Sequence, residues 1–272
     1  MARPRRLLNG PAQAAAILER FARPAAQPGA ISYATVRDFC DSADQLSQIT
    51  PSDGDLKNVQ RPWAVKAILG HIPPPARLLE IGGGEPIVSG FLAELGYEVT
   101  LVDPYDGFGN GPTDYERYIE NYPHVRIVRG YFQPDMTGLD PASFDAIFSI
   151  SVLEHISENA LPKCFDAIDR FLRPNGASIH CFDFIIQGVG EEHAMGNARQ
   201  ILAEQQRISG HNDFPSFDAV LEQLTSDTET FFLSPQGHHH WRGGQTYENF
   251  PFRRVVSIQT IAQRQPADVP AA

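Results

Sequence analysis

The chain has 272 residues, with 33 acidic against 22 basic side chains and a net charge of −11. Its 42% hydrophobic and 20% charged content is ordinary for a globular chain, and the acidic balance argues against a nucleic-acid backbone as main partner, since such sites need basic patches. The cysteines Cys40, Cys164 and Cys181 are far apart without a C-x-x-C pair, no apolar run approaches the ~20 residues of a membrane span, and a cytoplasmic location is expected.

The N-terminus carries Arg3, Arg5 and Arg6 and no acid through residue 18, but no apolar signal core follows. Two readings stand: a transit-like segment, or a loose tail with one short helix over Ala12 to Phe21, broken by Pro24, Pro28 and Gly29. A second helix is expected from Tyr33 to Leu46, then a turn from Thr50 to Asp55. Residues 1–60 therefore read as a helical extension, packed on a core domain or serving as a lid. Trp63, Ala67 and Ile68 recur at helical spacing within Arg61 to Ile72, where Pro62 suits a first turn and Pro73-Pro74-Pro75 a stop.

From there the pattern alternates. Strands are expected at Arg77 to Ile81, Tyr97 to Val102, Val125 to Arg129, Phe144 to Ser149 and Ala177 to Phe182. Helices fall between them at Ile87 to Leu95, Asp114 to Tyr122 and Leu161 to Leu172. Such alternation means right-handed crossovers and a parallel sheet covered on both faces. The tail departs from it, with helices at Glu191 to Ile208 and Phe217 to Leu224, then strands at Thr230 to Leu233 and Arg254 to Ala262 expected to pair antiparallel. The expected fold is α/β: a doubly wound, mostly parallel seven-stranded sheet with an antiparallel last strand, helices on both faces, and an N-terminal helical extension. The core domain spans 61–262, with a polar helical insert at 184–212 as a possible substrate lid and a loose tail at 263–272.

The most informative stretch is Leu78-Leu79-Glu80-Ile81-Gly82-Gly83-Gly84-Glu85-Pro86, a buried strand end followed by a glycine turn and a helix. That unit places a nucleotide-like ligand over a helix N-terminus. The dinucleotide fingerprint G-x-G-x-x-G fails, because Ile87 stands at its third glycine. Glu80 is wrong for a phosphate, which it would repel, and suits a cationic ligand or one with hydroxyl and amine donors. A nicotinamide oxidoreductase is disfavoured on both grounds.

Glu80, Gly82 and Gly84 match the E/D-x-G-x-G-x-G motif of class I S-adenosylmethionine-dependent methyltransferases, with Pro86 a departure at its last position. The run Ser149-Ile150-Ser151-Val152-Leu153-Glu154-His155-Ile156 is similar to that family's S-x-x-V-L-E-H-I pattern, and Leu172-Arg173-Pro174-Asn175-Gly176 to its L-x-P-G-G turn. The chain resembles this family over residues ~61–262. The resemblance implies S-adenosylmethionine as cofactor, with Glu80, Gly82, Gly83 and Gly84 at its methionine end and Asp103 and Pro104 at the ribose. Tyr131 and Phe132 would flank adenine, where Tyr131 replaces the family's Asp, and Ser149 and Ile150 would give backbone contacts.

A hydroxyl acceptor benefits from a base, and three candidates stand out: His155 after the fourth strand, Asp183 after the fifth, and His239 in the run His238-His239-His240. Consecutive histidines of an extended chain point opposite ways, so no metal site is expected from them. Trp241, Arg242, Tyr247 and Arg253 suggest a polar, ring-shaped acceptor such as a sugar. The expected activity is O-methylation of a small molecule or glycan, with no nucleic acid as partner. Methylation of protein or RNA is an alternative, although Ser149-Ile150-Ser151-Val152 replaces the N-P-P-Y signature of amino-group acceptors on nucleobases. A non-catalytic cofactor-binding module of the same fold is another, fed by Pro86 and Tyr131.

Overall fold

The computed structural model describes residues 4–50, 54–107, 111–210 and 214–265. Parts of the expected turn at 50–55, of the insert's end and of the C-terminal tail lie outside the described residues. In chain order the elements are α1 (Pro11–Arg20), β1 (Ala30–Tyr33), α2 (Val36–Gln45), α3 (Lys57–His71), β2 (Arg77–Ile81), α4 (Ile87–Glu94), β3 (Glu98–Asp103), α5 (Tyr115–Asn121) and β4 (Val125–Arg129). There follow β5 (Phe144–Ile150), α6 (Leu161–Phe171), β6 (Leu172–Gln187), α7 (Glu191–Ser209), α8 (Phe217–Ser226), α9 (Pro235–Arg242) and β7 (Arg254–Gln263).

The strands form one seven-stranded sheet in the order β1-β7-β6-β5-β2-β3-β4. Every neighbouring pair from β6 to β4 is parallel, and β7 lies antiparallel to both β6 and β1. β5 is buried at all seven positions, Phe144 to Ile150, which is what a central parallel strand covered on both faces demands. Its side chains alternate between two cores. Phe148 and Ile150 join Leu78, Leu101, Trp63, Ile68 and Phe91 on the α3/α4 face. Ile147 joins Leu79, Phe165, Ile168, Phe182 and Ile201 on the α6/α7 face.

The edge beyond β7 corrects the sequence expectation. The N-terminal extension is not only helical: Ala30–Tyr33 enters the sheet and pairs with Ile258–Ile261 of β7. This four-residue run has no local signal, because its partner is almost the whole chain away. Thr230 to Leu233 is reduced to isolated bridges, Thr35 with Thr230 and Phe232 with Val256. β1 already occupies the upper half of β7's free edge, and Thr230 to Leu233 continues that line, with Phe231 N–H donating to the Ala34 carbonyl (2.8 Å) and Leu233 N–H to that of Val255 (2.9 Å). A capping box then starts α2: Thr35 Oγ1 accepts from Asp38 N–H and Asp38 accepts from Thr35 N–H.

α3 begins one turn before Arg61, so Pro62 stands inside it. The added turn is held by Asp55, which accepts from Lys57 N–H (2.9 Å) with one carboxylate oxygen and from Trp241 Nε1 (2.9 Å) with the other. The N-terminal arm is pinned as well, since the Leu7 and Leu8 N–H groups donate to the Glu94 carboxylate at 2.9 and 2.8 Å. Pro24 packs directly on Gly70 of α3, where an added Cβ would come within 2.5 Å of the Pro24 Cα. Gly70→Ala is therefore expected to push the connection between α1 and β1 off the core. Limited proteolysis should cut the variant faster between residues 21 and 29 than wild type, and equal rates would refute this packing.

Candidate active site

The glycine turn leaves β2 through two left-handed residues, Gly82 (φ 65°) and Gly84 (φ 57°). The sequence folds this way because side chains do not fit. A Cβ at Gly82 would lie 2.8 Å from Val152, and one at Gly83 would lie 2.7 Å from the Glu80 carboxyl carbon. Asp103, at the end of β3, ties the turn down: one oxygen accepts from Gly84 N–H (3.0 Å), the other from Tyr105 N–H (2.8 Å). Tyr105 closes the loop by donating its hydroxyl to the Gly84 carbonyl (2.8 Å). Both oxygens keep lone pairs for further donors.

Glu80 is almost wholly buried under the turn and accepts a hydrogen bond from Ser89 of α4. Burial pushes its carboxyl up to about 7, with Ser89 and Arg61 pulling the other way. Asp103 is raised by burial too, against its two backbone donors. Glu85, the next acid, is half-buried at the cavity and accepts from Arg5 and, at 3.0 Å, from the Tyr122 hydroxyl. Pro86 is the residue before α4, and Ile87 and Val88 after it line the cavity beneath.

That cavity has a volume of about 980 Å³. Among the sequence-derived cofactor residues, Glu80, Gly82, Gly83, Gly84, Asp103, Pro104, Tyr131, Phe132 and Ile150 all line it. Ser149 does not: its hydroxyl turns into the core and meets His180 Nδ1 at 2.8 Å. Tyr131 is exposed and donates to Asp106, whereas Phe132 is buried against Phe171.

The base candidates separate. His155 ends a short 3-10 turn, Leu153–His155, and lines the cavity; desolvation lowers its pKa, with Asp183 opposing. Asp183 lies one layer behind the cavity wall, accepting from Ser151 Oγ (3.0 Å) and Gln60 Nε2 (2.7 Å). Its own N–H donates to Glu154 (3.0 Å). Burial raises both carboxyls, and the charge of Glu154 raises Asp183 further. His239 is a correction. The histidine run is not an extended loop but part of α9, started by the Ser234 cap and Pro235. His238 packs on Phe250 and Phe252, His239 meets Arg242, and neither lines the cavity. Among the described residues no group of three or more His, Cys, Asp or Glu is placed to hold a metal.

The sugar-binding expectation also loses its residues, since Trp241, Arg242, Tyr247 and Arg253 are absent from the lining. The polar insert does not line it either. α7 instead buttresses the loop that does: Asn197 Nδ2 donates to the Leu153 and Ile156 carbonyls and Gln200 to that of Glu158. Sequence reasoning passed over Lys57, Arg61, Ser151 and Lys163, which all line the cavity. Ser151 had one signal, its place inside the strand-four motif; Lys57 had none, because it precedes the helix start expected at Arg61.

Together these features define an open α/β domain with a ligand cleft at the C-terminal ends of its parallel strands. Residues 79–180 match the model of a family described as a methyltransferase domain. That stretch runs from β2 into β6 and carries the motifs that resemble the class I, S-adenosylmethionine-dependent methyltransferases. No curated protein matches the chain.

Among solved structures the chain is similar to Haemonchus contortus phosphoethanolamine N-methyltransferase 2 (21% identity, 74% of this chain and 52% of that one, TM-score 0.42), so it spans about half that protein's length. It is similar to Burkholderia thailandensis 1,6-didemethyltoxoflavin-N1-methyltransferase (16% identity, 98% and 94% coverage, TM-score 0.45). It is also similar to Streptomyces coelicolor geranyl diphosphate C-methyltransferase (12% identity, 94% and 100% coverage, TM-score 0.48).

Two predictions follow from the turn. Gly82→Ala should lose stability by about 1–3 kcal/mol in urea titration from the left-handed backbone and the Val152 contact together. Adding Val152→Ala should restore the steric part, and strict additivity of the two losses would contradict the contact. For Glu80 the sign is set by a folded pKa raised from 4.5 to about 7. The fold then binds the proton more tightly than the unfolded chain, so its stability is greatest below pH 4.5 and falls as pH rises through 7. Glu80→Gln removes that loss, on the order of 3 kcal/mol at full extent. The variant should gain on wild type between these limits, and parallel stability curves would refute the burial effect.

Proposed function

We propose that the chain is an S-adenosylmethionine-dependent methyltransferase acting on a hydroxyl of a small molecule. The observation that carries this is the convergence of Glu80, the glycine turn, Asp103 and Ile150 on one wall of one cavity. The residues present fit the cofactor. Asp103 has acceptor capacity left for two ribose hydroxyls, the glycines keep the backbone within reach of a ligand, and Phe132 offers an apolar face beside the exposed Tyr131. Glu80, beneath the turn, supplies the negative potential a cationic methionine end requires.

When bound, S-adenosylmethionine supplies a methyl group already activated on a sulfonium. The protein's work is then to bind, align and keep water out, and positioning alone accounts for much of such a rate. The size supports a small acceptor, since about 980 Å³ lies at the upper end of ligand pockets. That leaves room for cofactor and acceptor side by side. A glycan acceptor keeps less support, because the aromatic and arginine residues that suggested it lie outside the cavity.

Calorimetry with S-adenosylhomocysteine tests the cofactor assignment. Wild type should bind, and Asp103→Ala should bind at least tenfold more weakly, the expected cost of losing hydrogen bonds to a carboxylate. No binding by wild type, or equal binding by the variant, sinks the reading. A panel of phenols, aliphatic alcohols, amines and carboxylates, followed by S-adenosylhomocysteine release, then assigns the acceptor atom; turnover confined to amines would replace the hydroxyl.

A further inference from the structure

Behind the acceptor side of the cavity lies a polar cluster that the cofactor does not explain. It draws on α3, β6, β7 and the loop after β5. Ser151 stands at its front, a non-glycine residue held at φ 57° with its N–H donating to the Cys181 carbonyl (2.8 Å). Such a conformation persists only where the surroundings enforce it. Ser151 lines the cavity, and its Oγ donates to Asp183 Oδ2 at 3.0 Å. Asp183 Oδ1 accepts from Gln60 Nε2 (2.7 Å), and the same nitrogen donates to Ser257 Oγ of β7 (3.0 Å). Glu154 Oε1 takes the Asp183 N–H, while Glu154 Oε2 is shielded and accepts from no neighbour.

We propose, resting on the methyltransferase reading, that Ser151 and Asp183 form a proton route for the acceptor, with Gln60 and Glu154 as positioning residues. Asp183 and Glu154 do not line the cavity, but Ser151 does, so a proton from the acceptor reaches a carboxylate through the serine hydroxyl. As the acceptor oxygen gains the methyl carbon, its O–H proton passes to Ser151 Oγ. The Ser151 proton passes to Asp183 Oδ2, which becomes a neutral acid. The new C–O bond replaces the C–S bond, whose electron pair stays on sulfur, and no further reactant is needed.

The charged and titratable groups around Asp183 are Glu154 on the loop after β5, Asp55 before α3, Lys57 on α3, and Cys181 on β6; His155 faces it from the cavity side. Glu154 and Asp55 favour the protonated form and Lys57 the ionised one. Gln60 fixes one Asp183 oxygen so that the other stays turned to Ser151. This arrangement sets a carboxylate poised to take a proton near neutrality, where a base works best.

Infrared titration of the ligand-free full chain tests the route without any acceptor. The difference between wild-type and Asp183→Asn spectra cancels the Glu80 band and leaves that of Asp183 with its coupled partner Glu154. It should show a protonated carboxyl that titrates near neutral pH. Glu154→Gln should move that midpoint down by about one pH unit or more, because a like charge is gone. Ser151→Gly, which suits the left-handed backbone and so keeps the fold, should shift the band's frequency by removing its hydroxyl partner. An Asp183 that titrates in the ordinary carboxylate range, or a midpoint indifferent to Glu154→Gln, overturns the proposal.

With an acceptor from the panel, kcat should rise with pH through the same midpoint, and Glu154→Gln should move that acid limb to lower pH. A purely structural pair would leave the limb in place. The two readings fail separately: absence of S-adenosylhomocysteine binding removes the methyltransferase, whereas normal binding with an ordinary Asp183 titration removes only the proton route.

Discussion

The structure turns on the Asp103 carboxylate. It closes the gap between the ends of β2 and β3 by accepting the N–H groups of Gly84 and Tyr105, and so holds the glycine turn against the sheet. Without that anion, two inward-pointing amides would be left unpaired beside a cavity. With it, the turn takes a left-handed path that side chains cannot follow, and the backbone itself becomes a ligand-facing surface. Glu80 reinforces the arrangement from below, where its burial is tolerated only because Ser89 donates to it and Arg61 lies within electrostatic reach. Two acids sheltered from water at neighbouring strand ends are costly to the fold. Their retention is coherent if a ligand with a cationic end and two hydroxyls meets them.

The sheet explains why these groups share one place. Parallel strands β2, β3 and β5 all end on the same edge, so residues far apart in sequence, Glu80, Asp103 and Ile150, come together as consecutive strand ends. β6 is longer than its neighbours and runs past the point where Ile150 pairs with Cys181. Asp183 therefore projects beyond the end of β5, level with Ser151. β7 matches β6 in the antiparallel sense over nearly all of that extension, and Ser257 stands opposite Asp183. Gln60 bridges the two strands at that level.

Much of this was legible in the sequence because parallel strands are local signals: short apolar runs, each ended by a glycine, acid or serine. The β2 turn, the acid at Asp103 and the strand-four motif could be read from residues a few places apart. What escaped depends on partners distant along the chain. β1 is four residues long and is a strand only because β7 lies beside it. The first turn of α3 hides behind Pro62, which suits a helix start but here follows a turn nucleated by Asp55. The three histidines read as an extended loop, although Ser234-Pro235 is a helix start.

These failures share a cause that bears on the site. Lys57 and Gln60 sit on the turn of α3 that precedes the expected start at Arg61, and Lys57 and Arg61 line the cavity there. The wall with Glu80, Asp103 and Ile150 is made of strand ends, which sequence pattern exposes. The wall with Lys57 and Ser151 is made of a helix start before the first parallel strand and a loop after the fourth, brought together by β6 and β7. Asp55 joins this region to α9 through Trp241, so the helix carrying the histidine run helps fix where α3 begins. The wall of the cavity that holds Lys57 and Ser151 is thus the part whose geometry depends most on long-range pairing, and its chemistry follows from the fold more than from any motif.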